Sequence, residues 1–150
     1  MRIVATQVSI SNKAFEIYLA GCNANPKCLN CHNPELWDFN IGDELGNEAI
    51  DNIIKKINNA KTITNNIWIL GGEPLDQNKS ELLNLVQQLK ILDMPIWCFT
   101  RYEINEIDVD IKRSFNYIKT GKYIENLKTE NIICYGVRLA SKNQKIHKLN

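Results

Sequence analysis

Apolar positions along this chain recur with two periods, and the two alternate. Phe15, Ile17 and Leu19 alternate with Glu16, Tyr18 and Ala20, which predicts a strand running into Gly21-Cys22. Ile50, Ile53, Ile54 and Ile57 stand at helical spacing and predict an amphipathic helix over residues of about 45–59. Residues 67–70 form a short apolar run stopped by Gly71-Gly72, the pattern of a buried strand. Leu82, Leu85, Val86 and Leu89 repeat the helical pattern, and residues 96–99 read as another buried strand. Ile104, Ile107, Ile111 and Phe115 predict a weaker helix broken near Asp108. Residues 117–119 predict a short strand, and Ile133, Tyr135, Val137 and Leu139 alternate as a last one.

Strands alternating with helices imply βα units, an α/β fold and a mostly parallel sheet. Eight such units need about 250 residues to close a barrel. The 150 residues here leave room for four or five, so the expectation is one domain, residues 1–150, built as an open, partial βα barrel. Ligands collect at the carboxyl ends of the strands in such folds. The loop after Gly21 and the turn at Gly71-Gly72 both stand at those ends.

Composition adds little: 44% hydrophobic and 23% charged residues are ordinary globular values. No apolar run approaches the roughly 18 residues of a membrane span. The start, Met1 to Thr6, turns polar too soon for a secretory signal, so a soluble cytoplasmic protein is expected. Net charge is +1, which gives no global field toward nucleic acid. The charge is unevenly spread, however. Residues 1–111 carry 9 Lys and Arg against 15 Asp and Glu, while residues 112–150 carry 9 against 2. The basic end reads as a solvated tail or as a surface facing an anionic partner. Basic residues do not interleave with aromatics as in a nucleic-acid stacking platform, and Trp37 and Trp68 are expected in the core or at its rim.

The cysteines change the picture. Three of the five, Cys22, Cys28 and Cys31, crowd into ten residues, which points to a metal in a reducing compartment and not to a disulfide scaffold. Cys98 and Cys134 stand alone in apolar stretches and are expected to be buried thiols. Thiolates suit zinc, copper(I) or iron–sulfur clusters. A structural zinc ion takes four ligands, usually as two CxxC-like pairs. Here there is one such pair plus Cys22, and His32, directly after Cys31, would close on the same ion only with strain. A [4Fe–4S] cluster normally takes four thiolates. Three cysteines leave one iron open to a chelating substrate, such as the amino and carboxylate groups of S-adenosylmethionine. Gly71-Gly72-Glu73-Pro74 comes directly after a strand on the same rim. Its glycines either serve a plain strand-to-helix turn or let backbone carbonyls approach a ligand ammonium, with Glu73 adding negative charge.

Gly21-Cys22, the cysteine triplet, the run from Cys31-His32-Asn33-Pro34 to Asp38, and Gly71-Gly72-Glu73-Pro74 together resemble the radical S-adenosylmethionine superfamily. Within it they are similar to the short glycyl-radical activating enzymes. Residues 99–102, 117–123 and 140–144 fall in family-like order, so the resemblance spans nearly the whole chain. It departs at three points. Five residues separate Cys22 from Cys28 where three are usual, Asn30 stands where an aromatic is frequent, and Thr120 precedes Gly121 where Asp is common.

The resemblance implies an enzyme that holds a [4Fe–4S] cluster on Cys22, Cys28 and Cys31. It would cleave S-adenosylmethionine reductively and make a glycyl radical on a partner, the large subunit of anaerobic ribonucleotide reductase. A reduced flavodoxin or ferredoxin would supply the electron. It also implies cofactor contacts at Gly71, Gly72, Glu73, Pro74, Thr100, Lys119 and His32. Arg101 and Arg138 are either carboxylate clamps or surface arginines. Pro34 is expected in the first turn of a short helix capped by Asn33. Two other readings stay open: a small radical enzyme acting on a small molecule, such as a 7-deazaguanine-type synthase, and a non-catalytic metal-binding module.

Overall fold

The computed structural model describes residues 1–150 and shows an α/β fold around one seven-stranded sheet. The elements are β1 (Arg2–Ser9), β2 (Ala14–Leu19), β3 (Asp43–Glu44), α1 (Asn47–Ala60), β4 (Asn66–Gly71), α2 (Lys79–Leu89), β5 (Ile96–Phe99), α3 (Val109–Ser114), β6 (Tyr117–Thr120), β7 (Ile133–Cys134), β8 (Val137–Arg138) and β9 (Lys145–Lys148). The sheet order is β3-β1-β2-β4-β5-β6-β9. Its centre, β2-β4-β5-β6, is parallel, and the strands on either side join antiparallel. The sheet stays open, with β3 and β9 as its edges.

Three crossovers carry the helices, fewer than the four or five units the length allows. The remaining residues go into the antiparallel margins and the loops. Each parallel strand sends alternate side chains to the helical side. Phe15, Ile17, Leu19, Ile67, Ile69, Ile96, Cys98 and Ile118 meet Ile50, Ile53 and Ile57 of α1, Leu82, Leu85, Val86 and Leu89 of α2, and Ile111 of α3 in one core. The parity of the strands and the helical spacing of the apolar residues are thus two views of one packing surface. The other face carries Trp68, Trp97, Phe99 and Tyr117, with Trp97 stacked on Tyr117 at 4.1 Å. Only Val137 of the β7–β8 hairpin joins its small core of Ala14, Trp68 and Trp97.

Several sequence expectations change. Residues 133–139 are not one strand: Tyr135 and Gly136 both take positive φ, 49° and 79°, and fold the run into a hairpin pairing Cys134 with Val137. Two left-handed residues in succession are the geometry of a tight primed turn. Cys134 is therefore half-buried on a small hairpin and not a core thiol, whereas Cys98 is fully buried. The last strand of the sheet is β9, whose Lys-Ile-His-Lys composition hides it from any apolar pattern. The weaker helix is confined to the residues after Asp108, whose side chain caps α3 by accepting from the Asp110 N–H at 2.8 Å, while residues 104–107 form a turn. Asn33 sits before the short helix Pro34–Leu36 but makes no side-chain cap.

These placements predict unequal costs for the two lone thiols. Cys98→Ala should lower the unfolding free energy by about 1–2 kcal/mol, and Cys134→Ala should change it by less than about 0.5 kcal/mol, in chemical denaturation of the purified chain.

Candidate functional site

The carboxyl ends of β2 and β4 meet through backbone. After β2 the chain is clamped by the segment returning from the cysteine loop: Gly21 N–H donates to Leu36 O at 2.8 Å and Cys22 N–H to Trp37 O at 3.1 Å. Gly72 N–H donates to Leu19 O at 2.9 Å and Glu73 N–H to Gly21 O at 2.7 Å. No side chain fits between these turns. A Cβ on Gly72 would stand 2.2 Å from Gly21 O, and one on Gly71, at φ +124°, would stand 2.4 Å from Leu19 O. The glycines therefore set the distance between the cysteine loop and the β4 turn.

Glu73 extends this joint to β5. Its Oε1 accepts from the Thr100 hydroxyl at 2.6 Å and the Leu75 N–H at 3.0 Å, and its Oε2 accepts from the Arg101 N–H at 2.8 Å. Only 2% of the residue is exposed, and burial pushes its carboxyl up to about 7 against these donors. The carboxylate expected to add charge beside a ligand is thus engaged by its own chain, as is the Thr100 hydroxyl.

Asp76 makes a second joint. It accepts from the Asn23 N–H at 2.5 Å, from Arg101 Nη2 at 3.0 and 3.2 Å, and from the Tyr102 hydroxyl at 2.7 Å. The cysteine loop, the β4 turn and the end of β5 are held by two carboxylates. Arg101, read as a possible carboxylate clamp, clamps this internal one and lies over the Tyr102 ring at 4.1 Å. Arg138 is exposed on β8.

Above these joints lies a cleft of about 180 Å³. Cys22, Cys28, Cys31 and His32 line it together with Gly71, Gly72, Glu73, Thr100 and Lys119. Pro74 is buried in the turn and is not part of the lining. Every other residue singled out as a ligand or cofactor contact thus reaches one cleft. Burial raises the Cys28 thiol, and Cys31 and then Cys22 raise it further; the Tyr123 N–H and Lys122 oppose them. The three sulfurs are close enough to feel one another's charge, yet no three His, Cys, Asp or Glu side chains are grouped to hold a single metal ion. A soft three-thiol set spread around a cleft fits a multi-iron cluster better than one zinc ion.

Lys119 is the unusual cation of the site. It has no hydrogen-bonding or ionic partner, and its Nζ lies 5.6 Å from the centre of the Phe99 ring. Burial pulls its ammonium down to about 8. Such a group is poised to receive an anion.

Residues that sequence reasoning did not assign to the site also line the cleft, among them Trp37, Phe99, Lys122, Tyr123 and Gln144. Tyr123 meets His32 edge to face at 5.5 Å. Gln144 is nearly buried; its Nε2 donates to Gly121 O at 3.1 Å and its Oε1 accepts from the Ala140 N–H at 2.9 Å. Lys122 and Tyr123 lie just past the carboxyl end of β6, a position that by itself marks them as rim residues. Gln144 precedes an antiparallel strand that left no apolar signal.

Residues 13–147 match the family model described as a 4Fe-4S single cluster domain. The anaerobic ribonucleoside-triphosphate reductase-activating protein of Escherichia coli (strain K12) is 29% identical over 140 residues, covering 89% of this chain and 86% of that protein. The protein of the same name from Salmonella typhi is 30% identical over 139 residues, with the same coverage of 89% and 86%. A 7-carboxy-7-deazaguanine synthase from Pyrobaculum aerophilum is 32% identical over 85 residues, covering 57% of this chain but 36% of that enzyme.

The unpartnered Lys119 yields a signed prediction. Its pKa is lower in the fold than in the unfolded chain, so the unfolded chain binds the proton more tightly. The penalty is complete below pH of about 8 and fades as pH rises toward the ordinary lysine value of 10.5. Lys119→Met should therefore stabilise the metal-free chain at pH 7 by on the order of 1–3 kcal/mol. In thermal unfolding across pH, the gap to the unsubstituted chain should narrow above pH of about 8.

Proposed function

The chain belongs to the 4Fe-4S single cluster domain family, among the anaerobic ribonucleoside-triphosphate reductase-activating proteins, and on that premise we propose that it is a radical S-adenosylmethionine activase. Its reaction makes a glycyl radical on a partner enzyme, the large subunit of anaerobic ribonucleotide reductase. The observation that carries this reading is the cleft shared by Cys22, Cys28 and Cys31 with the Gly71-Gly72-Glu73 turn.

In this reading the three thiolates hold a [4Fe–4S] cluster and leave one iron free of protein ligands. When bound, that cluster supplies the electron that splits S-adenosylmethionine into methionine and a 5′-deoxyadenosyl radical. The chain's own residues position and shield. Gly71 and Gly72 let backbone approach the cofactor's amino group. Lys119 offers its unpartnered charge to an anionic group of the cofactor, its carboxylate in the first instance. Thr100 and Glu73 fix the β4 and β5 ends against each other, so their contribution at the cofactor is through that frame. Pro74 starts the short helix Pro74–Asp76 that carries Asp76 to the cysteine loop. His32 forms the cleft wall with Tyr123.

Residues 1–150 act as one domain, and the open sheet is read as a partial barrel. The cleft at the carboxyl ends of the strands of this open sheet suits insertion of a loop from another protein. No helix is long and apolar enough to cross a membrane; a cytoplasmic setting is part of this reading because three thiols crowded into one loop suit a reducing compartment. A reduced flavodoxin or ferredoxin supplies the electron. The synthase relative is matched over too little of its length to favour a small-molecule substrate.

The test is anaerobic reconstitution with iron and sulfide, then addition of reductant, S-adenosylmethionine and the reductase large subunit. Electron paramagnetic resonance should show a glycyl radical on the partner, and Ala at Cys22, Cys28 or Cys31 should each abolish it. A radical on a different glycyl-radical enzyme, with none on this partner, would contradict the substrate while keeping the chemistry.

A further inference from the structure

Five residues separate Cys22 from Cys28, and a loop segment of that length needs more than the thiols at its ends to fix its path. The chain holds it at Cys22. The Cys22 N–H donates to Trp37 O at 3.1 Å, and the Asn23 N–H donates to Asp76 Oδ2 at 2.5 Å. The Cys22 carbonyl accepts from the ammonium of Lys27, which stands at the far end of the same segment. Both backbone polar groups of Cys22 are therefore engaged, and the partner of its carbonyl carries a full charge.

Lys27 is half-buried, and its Nζ also lies 5.4 Å from the centre of the Trp37 ring. Cys22 and Trp37 line the cleft but Lys27 does not, so its ammonium stands outside the cleft, against the backbone of the first thiol. Lys27 forms no ion pair. Asp76 is matched by Arg101, and Glu125, which lines an outer groove together with Lys27, accepts from the Tyr123 hydroxyl at 2.5 Å.

We propose that Lys27 is a positioning residue for the cluster: by binding the Cys22 carbonyl it fixes the first thiolate, and it keeps beside that thiolate a positive charge that favours the reduced state. The inference rests on the cluster reading above. Reduction brings one electron from the donor protein and adds one unit of negative charge to a site already ringed by three thiolates. No bond forms or breaks in this step, and Lys27 keeps its proton. A neighbouring cation stabilises the added charge, and net charge and hydrogen bonds around the sulfurs set the potentials of such clusters. The segment before Cys28 thus carries its own fastener and its own counter-charge.

The experiment is a redox titration of the reconstituted chain with dithionite, without S-adenosylmethionine, followed by electron paramagnetic resonance. Lys27→Met removes donor and charge, Lys27→Gln keeps a donor without the charge, and Lys27→Arg keeps both. At the potential that half-reduces the unsubstituted chain, Lys27→Met and Lys27→Gln should each show a reduced-to-oxidised ratio about tenfold lower, a shift of about 59 mV for one electron. Lys27→Arg should keep that ratio within about twofold. Unchanged midpoints in Lys27→Met and Lys27→Gln, or a Lys27→Arg midpoint that falls as far as theirs, overturn the proposal. Where Lys27→Met holds less iron than the unsubstituted chain, Lys27→Gln against Lys27→Arg decides by the same criterion. Failure of the unsubstituted chain to form a [4Fe–4S] cluster is a separate result, and it overturns the cluster reading itself.

Discussion

Everything at the site depends on a backbone contact that tolerates no Cβ. Gly72 lies so close to Gly21 that an alanine there would overlap the Gly21 carbonyl at 2.2 Å. Through this contact the turn after β4 and the start of the cysteine loop become one unit, joined by the Glu73 N–H on Gly21 O. The sheet supplies the frame: the parallel register opposes Leu19 to Gly71, so both chains leave at the same height. The two buried carboxylates then lock the loops that this register has brought together. Glu73 ties the turn to β5, and Asp76 reaches from the turn to the residue after Cys22.

That arrangement trades stability for readiness. Glu73 is buried deeply enough that its carboxyl rises to about 7, and Lys119 enough that its ammonium falls to about 8. Three donors compensate Glu73, whereas Lys119 has only the face of the Phe99 ring and no anionic partner. Three thiols share a cleft, and Cys31 and Cys22 add to the cost of ionising Cys28. An anion at Lys119 and iron at the thiolates would relieve both penalties, so the occupied site should be more stable than the bare chain.

Much of this was legible in the sequence, for definite reasons. Strands β2, β4 and β5 and helices α1 and α2 are buried on a full face, so their side chains carry the period of the element. The marginal strands carry no such signal. β1 is half-exposed along its length and β9 is half lysine. The run at residues 133–139 alternates like a strand, yet Tyr135-Gly136 turns it back on itself; a tyrosine at positive φ is not readable from pattern. At the site, cysteine spacing and the glycine pair are local and could be read. What a carboxylate touches is not local. Glu73 was legible as a charge beside the cleft, but its bonds to Thr100 and Arg101 depend on β5 lying next to β4. Tyr123 and Gln144 arrive from the C-terminal part for the same kind of reason.

The central claim is that three thiolates of this chain hold a four-iron cluster with one iron open to S-adenosylmethionine. Mössbauer spectroscopy of the chain reconstituted with enriched iron tests it most directly. The account predicts one iron site distinct from the other three, and a change at that site alone when S-adenosylmethionine is added. A spectrum that does not respond to S-adenosylmethionine, with the cluster intact, would contradict it.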